Sequence, residues 1–245
     1  MRRYLILASV ILLVPANAYA MHISEGILPL GWAALYTALA IPFMAMGLRD
    51  IRLKGRDDVS FKPLLGLMAA MVFIISCMPI PVPLAGTCSH PCGTGISALL
   101  LGPFVSVVVA AAALLIQALL LAHGGISTWG ANIMSMGIVG SFAAYGTFRL
   151  LRAASIPLGA SAFVAGVAAD WCTYIATSME LASGIKGEDA FWPLAWKIML
   201  AFVPTQLPLG ILEGAMTAGM VILLYKRRPD LLVKMKVLTA EEAAL

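Results

Sequence analysis

Long apolar runs separated by short polar stretches dominate the pattern along the chain. The runs cover residues 32–48, 63–83, 96–122, 130–148, 157–182 and 194–225. Between Pro63 and Phe148 there is no Asp, Glu, Lys or Arg at all. A helix needs about 20 apolar residues to cross a bilayer. The pattern therefore predicts an all-α membrane protein, a polytopic bundle of about six or seven transmembrane helices.

The first twenty residues have the order of parts found in a secretory signal. Arg2 and Arg3 give a basic start, Leu5–Val14 is apolar, and Ala18-Tyr19-Ala20 has the small-x-small pattern of a cleavage site. An uncleaved first helix is the alternative, although residues 4–20 are short for a membrane span. We expect residues 1–20 to be a signal peptide, cleaved after Ala20, so that the mature chain begins at Met21 on the outer face.

The Lys and Arg residues predict the orientation of the spans. The stretch 49–62 carries five Lys/Arg, and the tail 226–245 is also basic. Basic loops stay in the cytoplasm. We therefore expect a transmembrane domain over 21–225 and a cytoplasmic tail over 226–245, in a bacterial inner membrane, with the mature N-terminus outside.

An outer N-terminus and an inner C-terminus require an odd number of crossings, so one of the six runs must cross twice. Splitting the run 96–122 at Gly102-Pro103 also places Arg149 and Arg152 in the cytoplasm. Splitting the run 194–225 at a proline would leave both arginines outside. The sequence predicts seven crossings, the third of them short or only partial.

Composition excludes several classes of protein. Of the 245 residues, 61% are hydrophobic and only 11% are charged, whereas soluble domains have about 25% charged residues. The net charge of +4 comes from basic clusters that flank the spans, which does not indicate nucleic-acid binding. The sequence has no GxxxxGK[ST] phosphate loop, and hence no ATPase of this type of its own.

A mature chain that starts Met21-His22 could chelate a metal. The α-amine of Met21, the amide nitrogen of His22 and its Nδ1 would form two fused rings, and His90 would complete a square of four nitrogens. Such a square suits Ni(II), Cu(II) or low-spin Co(II). Alternatively, His22 is only a polar residue on a frayed terminus.

The stretch 86–95 places His90 in a polar, glycine-rich loop inside the apolar block. Irregular backbone at membrane depth is tolerated where protein buries it or where it lines a cavity; a plain extracellular turn is the alternative. Cys88, Ser89 and Cys92 flank His90. We expect the two cysteines to pack and to support the site, although they could instead join a metal or oxidise to a pair.

Other polar residues could support or extend this site. Gln117 and Asn132 are suited to hold ligands by hydrogen bonds. His123 is either a further ligand or, more in keeping with its position, a helix-end or loop contact. Asp170 and Glu213 lie within apolar runs, where they could be a proton or ion site or could hold helices together.

The segments Met21–Gly26, Gly86–Pro91 and Gln117–Gly125, with Gly130-Ala131-Asn132, resemble the CbiM/NikM family over nearly the whole mature chain. These proteins capture substrate for energy-coupling-factor transporters of cobalt and nickel. The resemblance implies a seven-helix bundle with Co(II) or Ni(II) as its transported substrate, held by Met21, His22 and His90, and no bound organic cofactor.

The resemblance also implies partners: a small membrane accessory subunit, a transmembrane coupling subunit and two ATPase subunits. The loop around His90 is closer to the cobalt branch, which implies supply of cobalt for cobalamin biosynthesis. Two features depart from the family pattern. Met21 lies behind a signal-like extension, and Cys92 stands where the family more often has threonine.

Three functions follow as hypotheses. The first, which we favour, is a non-enzymatic metal-capture subunit of an ATP-driven cobalt uptake transporter, with nickel as the alternative substrate. The second is a stand-alone secondary metal transporter in which Asp170 and Glu213 relay protons. The third is a membrane-embedded enzyme, for which Glu25 is the only acid or base near the histidines in the sequence.

Overall fold

The computed structural model describes residues 19–20, 22–78, 80–82 and 87–243, and they form a predominantly helical bundle. Its helices are α1 (Leu30–Asp57), α2 (Phe61–Ser76), α3 (Thr94–Leu101), α4 (Pro103–Leu120), α5 (Trp129–Asn132), α6 (Ser141–Ala153), α7 (Leu158–Ile185), α8 (Phe191–Arg227), α9 (Pro229–Lys234) and α10 (Ala240–Ala243). A π-helical segment, Ile133–Gly140, joins α5 to α6. Three short strands accompany the helices: β1 (Tyr19–Ala20), β2 (Ile80–Val82) and β3 (Thr87–Ser89).

Within the described residues, each predicted apolar run contains helix, and the run 63–83 also includes β2. Four of the helices (α1, α4, α7 and α8) are long and apolar enough to cross a membrane, and α2 is a shorter apolar helix. Many large apolar side chains point outward, among them Leu67 and Leu200, each 63% exposed. Such a surface suits lipid rather than water. The chain is a multi-pass membrane protein, and the number of crossings remains a prediction.

The predicted break at Gly102-Pro103 is confirmed. Helix α3 ends at Leu101 and α4 begins at Pro103, with Gly102 between them at φ +89° and ψ 158°. Proline suits the first turn of a helix because the backbone N–H groups there have no acceptor within the helix. At 1.5 Å per residue, the eight residues of α3 rise only about 12 Å. Every residue of α3 is buried, so this element lies inside the bundle.

The alternative break in the last apolar run does not occur. Helix α8 runs from Phe191 to Arg227 with Pro204 and Pro208 inside it. It packs along α7, where Trp171 Nε1 donates a hydrogen bond to the carbonyl of Gln206. Neighbouring helices can supply donors of this kind where prolines disturb the backbone hydrogen bonds of a transmembrane helix.

Basic residues from distant parts of the chain gather at one end of the bundle. Lys54 Nζ donates a hydrogen bond to the carbonyl of Leu101. Lys234 Nζ lies 2.7 Å from Asp58 Oδ2 in an ion pair. Arg149 donates to the carbonyl of Lys236, and Arg152 pairs with Glu242. The stretch 49–62, the end of α6 and the C-terminal tail therefore share one end, as the charge pattern predicts.

A small sheet precedes the short helix. Strand β3 pairs in parallel with β1 and antiparallel with β2, with Tyr19 opposite Thr87 and Ile80 opposite Ser89. His90 follows β3 directly. Of the predicted signal peptide, only Tyr19–Ala20 lie within the described residues, and residues 1–18 lie outside them.

Candidate metal centre

The segment that follows Met21 is folded into the bundle. Met21 itself lies outside the described residues, but His22 and Ile23 are 2% and 1% exposed. The backbone N–H of Ile23 donates to Asn132 Oδ1 at 2.8 Å, and Asn132 Nδ2 donates back to the Ile23 carbonyl at 3.2 Å. Thr128 Oγ1 donates to the same carbonyl at 2.5 Å. These three bonds fix the backbone next to His22.

Glycines allow the loop after α4 to approach this segment. A Cβ placed on Gly124, whose φ is +81°, would lie 3.1 Å from Cβ of His22. A Cβ on Gly125 would lie 2.7 Å from the backbone of Glu25. Glu25 itself is exposed and accepts a hydrogen bond from the Ser127 N–H. The side chain and then the backbone of Ser127 lower the pKa of its carboxyl. Only residues without side chains fit this close backbone contact.

Three imidazoles meet at this point. His22, His90 and His123 each offer a ring nitrogen, and these nitrogens lie within 4.8 Å of one another. The ring of His22 is 4.7 Å from that of His90 and 4.9 Å from that of His123, centroid to centroid. Nε2 of His90 and Nε2 of His123 are 3.2 Å apart. All the histidines of the chain thus converge on one place.

Hydrogen bonds determine which nitrogen of His22 is free. Its Nε2 lies 3.0 Å from Gln117 Oε1. The Gln117 amide nitrogen donates to Ser76 Oγ at 2.7 Å and to Cys77 Sγ at 3.4 Å, so the amide oxygen faces the histidine. An amide oxygen only accepts, hence His22 Nε2 carries the proton and Nδ1 keeps its lone pair. Nδ1 is the nitrogen that a chelate with the N-terminal backbone requires.

The same argument applies to His90. Its Nδ1 lies 3.0 Å from the carbonyl of Pro91, which can only accept, so Nδ1 carries the proton and Nε2 has the free lone pair. The Tyr174 hydroxyl donates to the His90 carbonyl at 3.3 Å. His90 is completely buried. Its ring is therefore oriented by the protein with a nitrogen directed at the other two imidazoles.

Burial keeps the imidazoles neutral. Desolvation first, and then the neighbouring His123, lower the pKa of His90 to about 3. Desolvation, then His90 and His123, hold the pKa of His22 well below its usual value, and burial also lowers the pKa of His123. Neutral imidazole is the form that binds transition metals. Near neutral pH, protons do not compete for these nitrogens.

The predicted supporting residues separate into two groups. Gln117 and Asn132 contact His22 and Ile23, at the histidine cluster. Ser89 instead contacts Thr205 and accepts a bond from Gln206. The Cys92 side chain faces Asp170, and Cys88 has its backbone in β3 while its side chain lies outside the described part.

His123 is closer to the proposed ligands than the sequence indicates. Its ring nitrogen is as near to His90 as a hydrogen-bond partner would be. In the sequence it follows a helix by three residues, a position equally typical of a helix-end contact. The turn that redirects it includes Ala122 at φ +49° and Gly124 at φ +81°. The isolated glycine pair 124–125 was the available signal for that turn.

Comparison with known proteins identifies the family. The family model described as "CbiM: Cobalt uptake substrate-specific transmembrane region" matches residues 22–231 of this sequence. A protein of Geobacter sulfurreducens named "Cobalt transport protein CbiM" is 65% identical over 229 residues, covering 94% of this chain but only 66% of that protein. A protein of Sorangium cellulosum with the same name is 54% identical over 217 residues, covering 89% of this chain and 96% of that one.

Solved structures agree with this relationship. The crystal structure of a truncated transition metal transporter superimposes with a TM-score of 0.75 at 26% identity, covering 84% of this chain and 98% of that one. A second structure, of a transition metal transporter, gives a TM-score of 0.73 at 27% identity, covering 84% of this chain and 92% of that one. This chain belongs to the CbiM family of cobalt uptake substrate-specific transmembrane regions.

Proposed function

We propose that this chain captures Co(II) at the outer face of the membrane for an ATP-driven uptake transporter. The observation that carries the proposal is the buried cluster of His22, His90 and His123. Nitrogen atoms of three neutral imidazoles converge there from three separate segments of the chain. Imidazole is a suitable ligand for Co(II) and Ni(II).

The ligand set that we propose uses four nitrogens. They are the α-amine of Met21, the backbone nitrogen and Nδ1 of His22, and Nε2 of His90. The hydrogen bond from His22 Nε2 to Gln117 supports this set, because it leaves Nδ1 on the ring available for the chelate. His123 lies within reach of the same ion and offers a further nitrogen. Signal cleavage after Ala20 would create the required amine.

Energy for transport must come from other chains, because this sequence has no phosphate loop of the GxxxxGK[ST] type. We propose a transporter in which a transmembrane coupling subunit, a small membrane accessory subunit and two ATPase subunits join this one. Cobalt is the metal of cobalamin, so its biosynthesis is the process that we expect the transporter to supply. We propose seven crossings, with the mature N-terminus outside and the C-terminus in the cytoplasm.

Uptake into vesicles tests this function against a stand-alone secondary transporter. Vesicles that contain only this chain should not accumulate Co(II) under a pH gradient, whereas vesicles with the complete transporter should do so when given ATP. His90→Ala should abolish the ATP-driven uptake, and Glu188→Gln, at an exposed loop, should leave it unchanged. Gradient-driven accumulation by the chain alone would contradict the proposal.

Nickel is the alternative substrate. Affinity for a given set of ligands generally rises from Co(II) to Ni(II), so a preference for cobalt must come from the geometry that the protein imposes. The names of the relatives favour cobalt. In the same vesicles, excess Ni(II) should compete weakly with Co(II) uptake. Stronger inhibition by Ni(II) than by unlabelled Co(II) would assign the transporter to nickel.

A further inference from the structure

We propose that Cys92, Asp170 and Glu213 form a second site for a divalent transition-metal ion, deeper in the bundle than the histidine cluster. The Cys92 sulfur and one oxygen from each carboxylate lie within 4.8 Å of one another. Metal–ligand bonds of about 2.0–2.3 Å let one ion join donors about 4 to 4.6 Å apart across it. The three side chains therefore need to close by only a few tenths of an ångström.

Two buried acids lie here, and no basic side chain among the described residues pairs with them. Asp170 is completely buried and Glu213 is 2% exposed. Among the described residues, the ion pairs are those of Arg152, Arg228 and Lys234, and none involves either acid. Burying two carboxylates together is costly unless a positive charge or a proton accompanies them. A divalent cation would supply that charge.

One carboxylate is held and the other has an open acceptor. Glu213 accepts hydrogen bonds from the backbone N–H groups of Cys92 at 2.6 Å and Gly95 at 3.4 Å. Cys92 Sγ lies 3.9 Å from Asp170 Oδ1. Within the described residues, Oδ2 of Asp170 is buried and has no hydrogen-bond partner. A buried acceptor without a partner, beside a thiol and a second carboxylate, points to a missing ligand.

The site lies between the histidine cluster and the basic end of the bundle. Cys92 follows His90 by two residues. On α7, Asp170 is one turn, a rise of about 6 Å, before Tyr174, whose hydroxyl donates a hydrogen bond to the His90 carbonyl. Helix α7 begins next to the basic end, and hence Asp170 is the nearer of the two to that end. The site is thus the next position that an ion leaving the histidines toward the basic end would reach.

A cavity gives access to the site. It has a volume of about 330 Å³ and reaches Glu213 and Gly93. Three methionines, Met71, Met216 and Met220, contribute to its lining. Their thioether sulfurs are soft and polarisable. An ion bound here through the thiolate would displace the thiol proton, which is released to the buffer during the titration.

Cobalt spectroscopy tests the second site, because a thiolate bound to Co(II) gives an intense sulfur-to-metal charge-transfer band that nitrogen ligands do not. Titration of the purified mature chain with Co(II) should show two bound equivalents, one of them accompanied by this band. Cys92→Ser should lose the band and one equivalent. Cys172→Ser, a matched change of a cysteine on α7, should keep both.

The inference rests on the proposed function only for the identity of the ion, and the two can fail separately. His22→Ala should remove the nitrogen-bound equivalent and keep the charge-transfer band. A wild-type chain that binds one Co(II) without the band would overturn the second site and leave the histidine site intact. A band that persists in Cys92→Ser would overturn it as well.

Asp170→Asn is a second test that remains available if Cys92→Ser does not fold, because asparagine keeps the shape of the aspartate side chain. It should lose the band while retaining helical circular dichroism and the nitrogen-bound equivalent. An unchanged titration in Asp170→Asn would overturn the proposal.

Discussion

At the scale of single residues, the lone pairs of the histidine cluster are directed by neighbours and need no metal to orient them. The amide nitrogen of Gln117 donates hydrogen bonds to Ser76 and Cys77, so its oxygen faces His22 and accepts a hydrogen bond from Nε2. The backbone carbonyl of Pro91 accepts a hydrogen bond from His90 Nδ1. An oriented ring loses less freedom when it binds an ion, and this preorganisation should increase affinity.

Gln117→Ala tests this orientation. The change removes the oxygen that accepts the hydrogen bond from His22 Nε2, so the ring can rotate or adopt the other tautomer. We expect the affinity for Co(II), measured by isothermal titration calorimetry, to fall about 10- to 100-fold, as for other residues that orient metal ligands. Ser106→Ala, which removes another buried polar group from the same helix, should leave the affinity unchanged. Equal affinity in the two variants would contradict the role of Gln117.

Much of the site could be predicted from residue types, but their partners could not. His22 and His90 are recognisable because histidine is rare in the chain and each stands in a distinctive setting. Cys92 and Ser89 are neighbours of His90 in sequence, yet they face Asp170 and Thr205. The direction of a side chain in an irregular loop depends on contacts with distant helices, which sequence spacing does not reveal.

At the scale of elements, the break between α3 and α4 allows an entirely buried helix to follow the histidine loop. Gly102 has φ +89° and ψ 158°, a region that is essentially restricted to glycine. The break turns the chain at the basic end, beside Lys54. The short helix thereby connects the functional loop to the opposite end of the molecule.

Gly102→Ala should destabilise the protein without changing the metal site. A non-glycine residue in this region costs about 1–3 kcal/mol. Denaturant unfolding in detergent, followed by circular dichroism, should show a decrease of that size in the free energy of unfolding. Gly66→Ala, at a helical position where a Cβ meets no atom within 4 Å, should be neutral or slightly stabilising. A similar effect in both variants would contradict the strained turn.

Helices were more predictable than the elements between them. The apolar runs identify each long helix because transmembrane segments must satisfy their backbone internally. The prolines of the run 63–83 mark the end of α2 near Ser76. The strands β2 and β3 and the π-helical segment Ile133–Gly140 left no clear pattern, because each is too short for a periodicity to be recognised.

At the scale of the whole molecule, the two ends of the bundle differ in chemistry. One end holds the three histidines, and the other holds Lys54, Arg149, Arg152 and Lys234 with their partners. Because basic ends remain in the cytoplasm, this polarity supports a metal site that faces outward. The second site that we propose lies between these two ends.

Labelling of introduced cysteines tests this orientation. Glu188→Cys lies in the exposed loop between α7 and α8, and Glu241→Cys lies in the C-terminal tail. In intact spheroplasts, a membrane-impermeant maleimide should label position 188 and not position 241, above the background of the unmodified chain. Both should react after lysis. Labelling of position 241 before lysis would reverse the proposed topology.

The central claim is that a metal ion binds at a free amine created by cleavage after Ala20. A native mass spectrum of the purified chain, after exposure to equimolar Co(II) and Ni(II), reports the terminus and the bound ion together. We predict a chain that begins at Met21 and carries cobalt, and a variant with one residue added before Met21 that has lost the histidine-bound ion. A chain that retains Met1 yet still binds cobalt at the histidines, or an extended variant with undiminished binding, would contradict the claim.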